Sequence, residues 1–279
     1  MSRTSRFGRN RAGLSWPGGE DETEWVLILS GAAATPTAAL GTAGSVVHMC
    51  VRMPPSDRSL MPEAVRMLVV ADLIRRVLED LHSAQVMLTL LASGTSSPVV
   101  LGDLDKLMIR PPAGVFDSVD AAAAGIGARV ALMVTAAQDE SAAEFAVAVG
   151  ATAGSEPLDD LIHAGHDPST LRCVLLATHY AQQVPLTTQR ITDAARLLHR
   201  WRERVAEWST HVSVKMPAGI IDAASRAFDR NLEVPTVLDL MRDVESDAAI
   251  APGAKFETFV HLDRVLAFDL IRYLGRPHS

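Results

Sequence analysis

An amphipathic helical segment that follows two apolar runs and precedes a third of strand length sets the strongest limit on how this chain folds. Val46 to Met53 is apolar and stops at Pro54-Pro55, and Gln85 to Leu91 is a second run of strand length. Between them, from Pro62 onward, Val65, Leu68, Val69, Leu73, Ile74, Val77 and Leu81 recur at helical spacing on one face, with Arg75, Arg76, Glu79 and Asp80 on the other. An earlier run, Trp25 to Leu29, ends at Ser30-Gly31 and suits a buried strand feeding a loop. Strand, loop, long helix, strand is the βαβ order of a doubly wound sheet.

Two further runs of strand length follow, Arg129 to Thr135 and Phe145 to Val149, each bounded by turn residues. Residues 92–127 are rich in Ser, Gly, Pro and Asp and read as connection, with Val99 to Leu101 the one stretch that looks like structure. After Gly154 the strands stop. The clearest helix is Thr188 to Trp208, where Ile191, Ala194, Leu198, Trp201, Val205 and Trp208 alternate steps of about three and four, and Thr187 or Thr188 supplies the N-cap. Ser169 to Tyr180, Ala218 to Asn231, Pro235 to Glu245 and Leu262 to Leu274 complete a helical bundle. The organisation expected is a flexible tail over 1–24, an α/β domain over 25–155 and a helical bundle domain over 156–279.

Charge narrows the function classes. A net charge of −7 makes the field of the whole molecule repel a polyanion unless bases gather on one face. Cys50 and Cys173 stand far apart and in no CxxC pair, so neither a disulfide framework nor a cysteine-rich zinc site is indicated, and a reducing cytoplasm is the expected compartment. No run approaches the ~20 apolar residues of a membrane span, because Arg66 and Asp72 interrupt the stretch around Val69 and Val70. Arg3, Arg6, Arg9 and Arg11 are not followed closely by an apolar stretch, so they do not open a secretory signal.

The segment Gly165-His166-Asp167-Pro168-Ser169-Thr170-Leu171-Arg172, continuing to His179-Tyr180, resembles the start of the helical domain of cysteinyl-tRNA synthetases, where a Tyr-Asp-Pro-Glu-Ala-Leu-Arg-like run leads to a His-Tyr pair. Further on, Phe228-Asp229-Arg230-Asn231-Leu232-Glu233-Val234-Pro235 is similar to the family's Met-Asp-Asp-Asp-Leu-Asn-Thr-Pro stretch, and Val237 to Val244 to the helix after it. The resemblance runs continuously over about residues 157–250. It reaches the N-terminal half through Trp25 to Gly31, similar to the family's first strand and Cys-Gly turn, and through Val65 to His82 and Gln85 to Ala92. It implies α/β plus all-α: a Rossmann-like parallel-sheet remnant followed by a bundle like the synthetase's anticodon-side domain.

The family's chemistry is where the chain departs. Class I synthetases grip ATP between a histidine motif (HIGH) at a helix N-terminus and a lysine motif (KMSKS) on a mobile loop, because negative charge builds on the transferring phosphate. Counting from Ser30-Gly31 places the histidine motif at Ala39-Leu40-Gly41-Thr42, and counting back from the Asp72 helix places it at Met61-Pro62-Glu63-Ala64; neither holds a histidine. His48 and His82 are the only histidines before residue 160. The lysine motif falls at Val147-Ala148-Val149-Gly150-Ala151, and Lys106 is the only lysine before Lys215. The first zinc-binding cysteine of the family falls at Ser30, and its Trp-His-x-Glu-Cys stretch has no counterpart over 92–150. No zinc, no other cofactor and no catalytic residue is expected, and the same losses argue against the related ligase that joins cysteine to an amino sugar.

Other constellations read as structural. His163, His166, His179 and Cys173 are close in sequence, but His179 and Cys173 fall at packing positions of the resemblance. His48-x-Cys50 puts an imidazole and a thiol on one face of a strand without an evident third group. Gly125-x-Gly127 lacks the preceding strand and third glycine of a phosphate loop and reads as a connector. Arg190, Arg196, Arg200, Arg202 and Arg204 gather on one helix; Arg190, Arg196, Arg200 and Arg204 are candidate RNA contacts, against a solvated face paired with Asp193, Glu203 and Glu207. The function expected is that of a synthetase-like pseudoenzyme that binds a protein partner as scaffold or regulator. The alternatives are a tRNA-binding protein and a residual or altered ligase.

Overall fold

The computed structural model describes residues 27–29, 38–40, 45–54, 60–92, 104–137, 145–154 and 156–275. Five strands, β3 (Val46–Arg52), β4 (Gln85–Leu91), β5 (Gly114–Phe116), β6 (Leu132–Ala136) and β7 (Ala146–Val149), form one sheet in the order β5-β4-β3-β6-β7. Every pair in it is parallel. The chain winds outward from β3 to β5, then crosses to β6 on the other side of β3 and on to β7, which is the Rossmann order 3-2-1-4-5, one mononucleotide-binding half and two strands beyond it, with the switch point between β3 and β6.

The expectation for Trp25 to Leu29 needs correction. Leu27–Leu29 (β1) pairs antiparallel with Ala38–Leu40 (β2) in a separate ribbon, and the strand that opens the parallel sheet is β3. The physical reason is connection: β3 leads into the crossover helix α1 (Pro62–Arg76) and on to β4, with Val46 to Arg52 in register with Gln85 to Leu91. Pro62 opens α1 without the loss of a helix hydrogen bond, and Arg75 and Arg76 occupy its last turn. The helix continues as a wider π turn over Val77–Leu81.

The connection expected over 92–127 also contains structure. A single 3-10 turn (Asp105–Leu107), β5 and a second helix, α2 (Val119–Ile126), lie in it, whereas Val99 to Leu101 falls outside the described residues, as does the 1–24 tail. Ser118 caps α2 by accepting from Ala121 N, and Gly127, with φ of 75°, closes it in the left-handed region. Gly125 and Gly127 are thus the end of a helix, with β5 just before it. Helix α2 covers one face of the sheet through Ala122, against Cys50, Leu91, Val130 and Met133. α1 covers the other.

The second half holds α3 (Leu158–His163), α4 (Pro168–Leu176), α5 (Thr188–Trp208), α6 (Ala218–Asp229), α7 (Val234–Ser246) and α8 (Pro252–Leu266). A short parallel pair, Thr152–Ala153 (β8) with Val184–Pro185 (β9), corrects the expectation that strands stop at Gly154. In α5 the six apolar positions of the sequence pattern are all buried, and Phe259 of α8 meets the Trp201 and Trp208 rings edge-on at 5.5 and 5.1 Å. The last helix begins and ends earlier than the expected Leu262 to Leu274. Its end is set by Asp263, whose carboxylate accepts from Phe268 N at 2.7 Å and Leu270 N at 2.8 Å and folds the chain back after Ala267.

One buried charge cluster joins the halves. Asp72 and Arg172 are both fully buried. Asp72 Oδ2 accepts from Arg172 Nη2 and from Arg76 Nε, each at 2.7 Å, and Oδ1 accepts from Arg110 N at 3.0 Å. Arg172 also donates to Leu266 O and Leu107 O, so one guanidinium ties α4 to α1, α8 and the 3-10 turn. Burial alone raises the Asp72 carboxyl, but the charges of Arg172 and Arg76 and the bonds it accepts hold it below the ordinary carboxylate range.

Candidate functional site

In a doubly wound sheet, ligands sit outside the carboxyl ends of the strands at the switch point, so the residues there come first. Met61 is the N-cap of α1, and Pro62, Glu63 and Ala64 form its first turn. The histidine motif, counted back from Asp72, thus falls on a helix N-terminus, as the chemistry needs, but the ionisable side chain there is an acid. Its other placement, Ala39 to Thr42, runs from β2 into residues outside the described set. The lysine-motif placement falls on β7 and the carbonyls after it. Gly150 O and Ala151 O accept from Arg66 Nη1 at 2.7 and 3.1 Å, and Gln182 O and His179 O complete the shell of that buried arginine. Burial lowers the Arg66 pKa to about 10.

Ser30 lies outside the described residues, but the strand leading into α1 carries a cysteine of its own. Cys50 is fully buried on the α2 face. His48 Nδ1 donates to Ala128 O at 2.8 Å, which leaves Nε2 to accept from Thr89 Oγ1 at 3.1 Å; Cys50 Sγ then donates to Thr89 Oγ1 at 2.8 Å. Thr89, on β4, is the third group the sequence did not reveal. Burial pushes the Cys50 thiol up, against the weaker pull of Thr89 and Arg52. Cys50 Sγ also lies 3.7 Å from His48 Nε2, and burial favours the protonated, less reactive form of the thiol.

His163, His166, His179 and Cys173 are not brought together. His163 Nδ1 donates to Asp159 O, His179 Nε2 donates to Asn231 O, and Cys173 is buried with its thiol pushed up by burial to about 12. Among the described residues no group of three His, Cys, Asp or Glu side chains is placed to hold a metal ion. Among them, too, no helix is long and apolar enough to cross a membrane.

The arginines of α5 divide between two surroundings. Arg190, Arg196 and Arg200 line a groove of about 590 Å³ between α4, α5 and α7, joined by Arg242 of α7. Its floor is apolar, with Val174, Ala194 and Leu238. Arg204 is elsewhere, paired with Glu207. Arg202 turns inward and is buried, donating to Asp167, Ser169 Oγ, Phe268 O and Asp269 O. Of the carboxylates expected to pair with this face, Asp193 and Glu207 meet Arg196 and Arg204, while Glu203 meets His199. Arg200 reaches instead to Glu245 of α7 with Nε at 2.9 Å and Nη2 at 3.0 Å, a two-point contact not visible in the sequence.

The chain matches no protein-family model. It is similar to the L-cysteine:1D-myo-inositol 2-amino-2-deoxy-alpha-D-glucopyranoside ligase of Xylanimonas cellulosilytica, at 33% identity over 78 residues. That match covers 28% of this chain and 19% of the ligase, so the shared stretch is a small part of that protein. A distant relation to a cysteine ligase is what it supports.

Proposed function

We propose that this chain is a catalytically disabled relative of the cysteine-activating ligases, of cysteinyl-tRNA synthetase type, that acts by binding a partner protein as scaffold or regulator. The observation that carries the reading is the fate of the lysine and histidines its α/β half offers. Lys106 Nζ pairs with Asp159 at 3.1 Å, His82 Nε2 meets Asp229 at 2.5 Å, and His48 is sealed under α2. Activation of an amino acid needs cationic or neutral donors converging on a triphosphate, and these groups are spent on holding elements together. In the first turn of α1, where one placement of the histidine motif falls, the ionisable residue is Glu63, a carboxylate and not a donor to phosphate.

The test is ATP–pyrophosphate exchange by the full chain across all amino acids, cysteine included. No exchange above the protein-free control is expected, and cysteine-dependent exchange would overturn the reading. A second reading, tRNA binding, is supported by the gathering of Arg190, Arg196 and Arg200 in one groove. Gel shifts against total tRNA at two salt concentrations separate the two, since phosphate contacts weaken steeply with salt. A salt-dependent shift at micromolar protein would move the function to RNA.

A further inference from the structure

The groove between α4, α5 and α7 has charge that its surroundings do not consume. Four guanidiniums, Arg190, Arg196, Arg200 and Arg242, and one carboxylate, Asp193, line it. Two of the guanidiniums are held at close range: Arg200 by Glu245 through Nε and Nη2, and Arg242 by Asp239 of its own helix at 2.5 Å. The other two are not. Among the described residues Arg190 meets a hydroxyl, Thr178 Oγ1, at 3.1 Å, and Arg196 reaches Asp193 at 3.5 Å on a largely exposed pair. Such a pair is worth little. Asp193 is in turn bound by the Gln189 amide at 2.9 and 3.0 Å. In a molecule of net charge −7, the α5 wall keeps two forked donors turned to one groove.

The shape restricts the occupant. The volume of about 590 Å³ falls in the range of small-molecule sites, about 300–1,000 Å³. An inorganic anion would leave the floor of Val174, Ala194, Leu197 and Leu238 uncovered. RNA fits less well, because among the described residues no aromatic side chain lines the groove for a base to stack on, and Arg204 is paired outside it.

We infer that this groove binds a small organic phosphate, with the phosphate held by Arg190 and Arg196 and an apolar body resting on the Val174–Leu238 floor. Guanidinium forks match phosphate oxygens in a two-point geometry that a single lysine cannot supply. The inference stands whether or not the chain activates an amino acid.

Fluorescence titration of the full chain with 1-naphthyl phosphate, against 1-naphthol, inorganic phosphate and total tRNA, tests it. Expected is binding of the naphthyl phosphate about tenfold or more tighter than either of its parts, since head and floor act together. The double variant Arg190→Gln/Arg196→Gln should lose about tenfold or more with an unchanged melting curve, because both side chains are exposed, while Arg204→Gln should bind as the parent does. Equal binding of 1-naphthol would reduce the groove to an apolar surface and overturn the inference. So would undiminished affinity in the double variant. Tighter binding of tRNA that competes with the probe and falls with salt would replace it with an RNA surface.

Discussion

Replacing Asp72 by Asn should be among the most damaging single changes in this protein. The carboxylate is fully buried and accepts three hydrogen bonds, from Arg172, Arg76 and the Arg110 backbone. An amide keeps an acceptor oxygen but turns an N–H toward one donor and leaves the buried Arg172 without its direct ion-pair partner. Removing one member of a buried pair costs about 3–5 kcal/mol, a large share of a total stability of about 5–15 kcal/mol. The reverse change, Arg172→Met, strands Asp72 with Arg76 and also orphans Leu266 O and Leu107 O, so a loss of the same order is expected. Because each single variant strips the other charge of a direct ion-pair partner, the double variant should cost less than the sum, by about 0.5–3 kcal/mol. Urea denaturation of the four proteins, followed by circular dichroism, measures this. Single losses under about 1 kcal/mol, or additivity within about 0.5 kcal/mol, would refute the view that this pair fastens the halves. The pH dependence gives a second check. The folded Asp72 pKa is depressed, so its contribution is complete above the unfolded carboxylate value of about 3.9 and is lost as pH falls through the folded value. The stability gap between parent and Asp72→Asn should therefore narrow only below about pH 4.

Gly150→Ala should destabilise by about 1–3 kcal/mol, read by thermal melting, because its new Cβ would lie 2.4 Å from Gln182 O beside the carbonyl shell of Arg66. Ser118→Ala removes the N-cap of α2 and should cost about 1 kcal/mol in urea denaturation; no change would mean that α2 is held by packing alone. Cys50 and Cys173, both buried with raised thiol pKa values, should label with a thiol reagent at pH 8 only as fast as the protein opens, and rapidly in denaturant. Fast native labelling of Cys50 would contradict its seat under Thr89 and α2.

Much of the architecture is readable along the chain. β4 and α5 have the bounds that apolar runs and helical spacing predict, β3 ends one residue before Met53, and α1 passes at Val77 into the π turn that completes the expected helix to Leu81. Those elements are long and carry one strong period. β5 and α2 are not legible in the sequence because a three-residue strand has too few positions to show alternation, and half of Val119 to Ile126 is alanine, with little contrast between faces. The signal available was at the ends, where Ser118 and Gly127 are ordinary start and stop residues. Apolar character does not tell which strand opens the parallel sheet, since Leu27–Leu29 and Val46–Arg52 are both apolar; only the hydrogen-bonded partners distinguish a ribbon from a sheet. Of the four arginines that the sequence groups on α5, Arg190, Arg196 and Arg200 line the groove and Arg204 does not. Arg202 was distinguishable in principle, since it follows Leu198 by one helical turn and so belongs to the buried seam.

By itself the sequence determined a βαβ-type sheet followed by helices, and the scarcity of lysine and histidine in the first half. These are local properties, set by the period of apolar residues and by which side chains exist at all. The tertiary structure decided where each charge went. Asp72 meets Arg172 across a hundred positions, Arg200 leaves its own helix for Glu245, and Arg242 comes from α7 to complete the groove opposite Arg190 and Arg196. Periodicity describes one element against an averaged surrounding. Which ions end buried, paired or turned toward an open groove depends on elements that meet only when the chain folds.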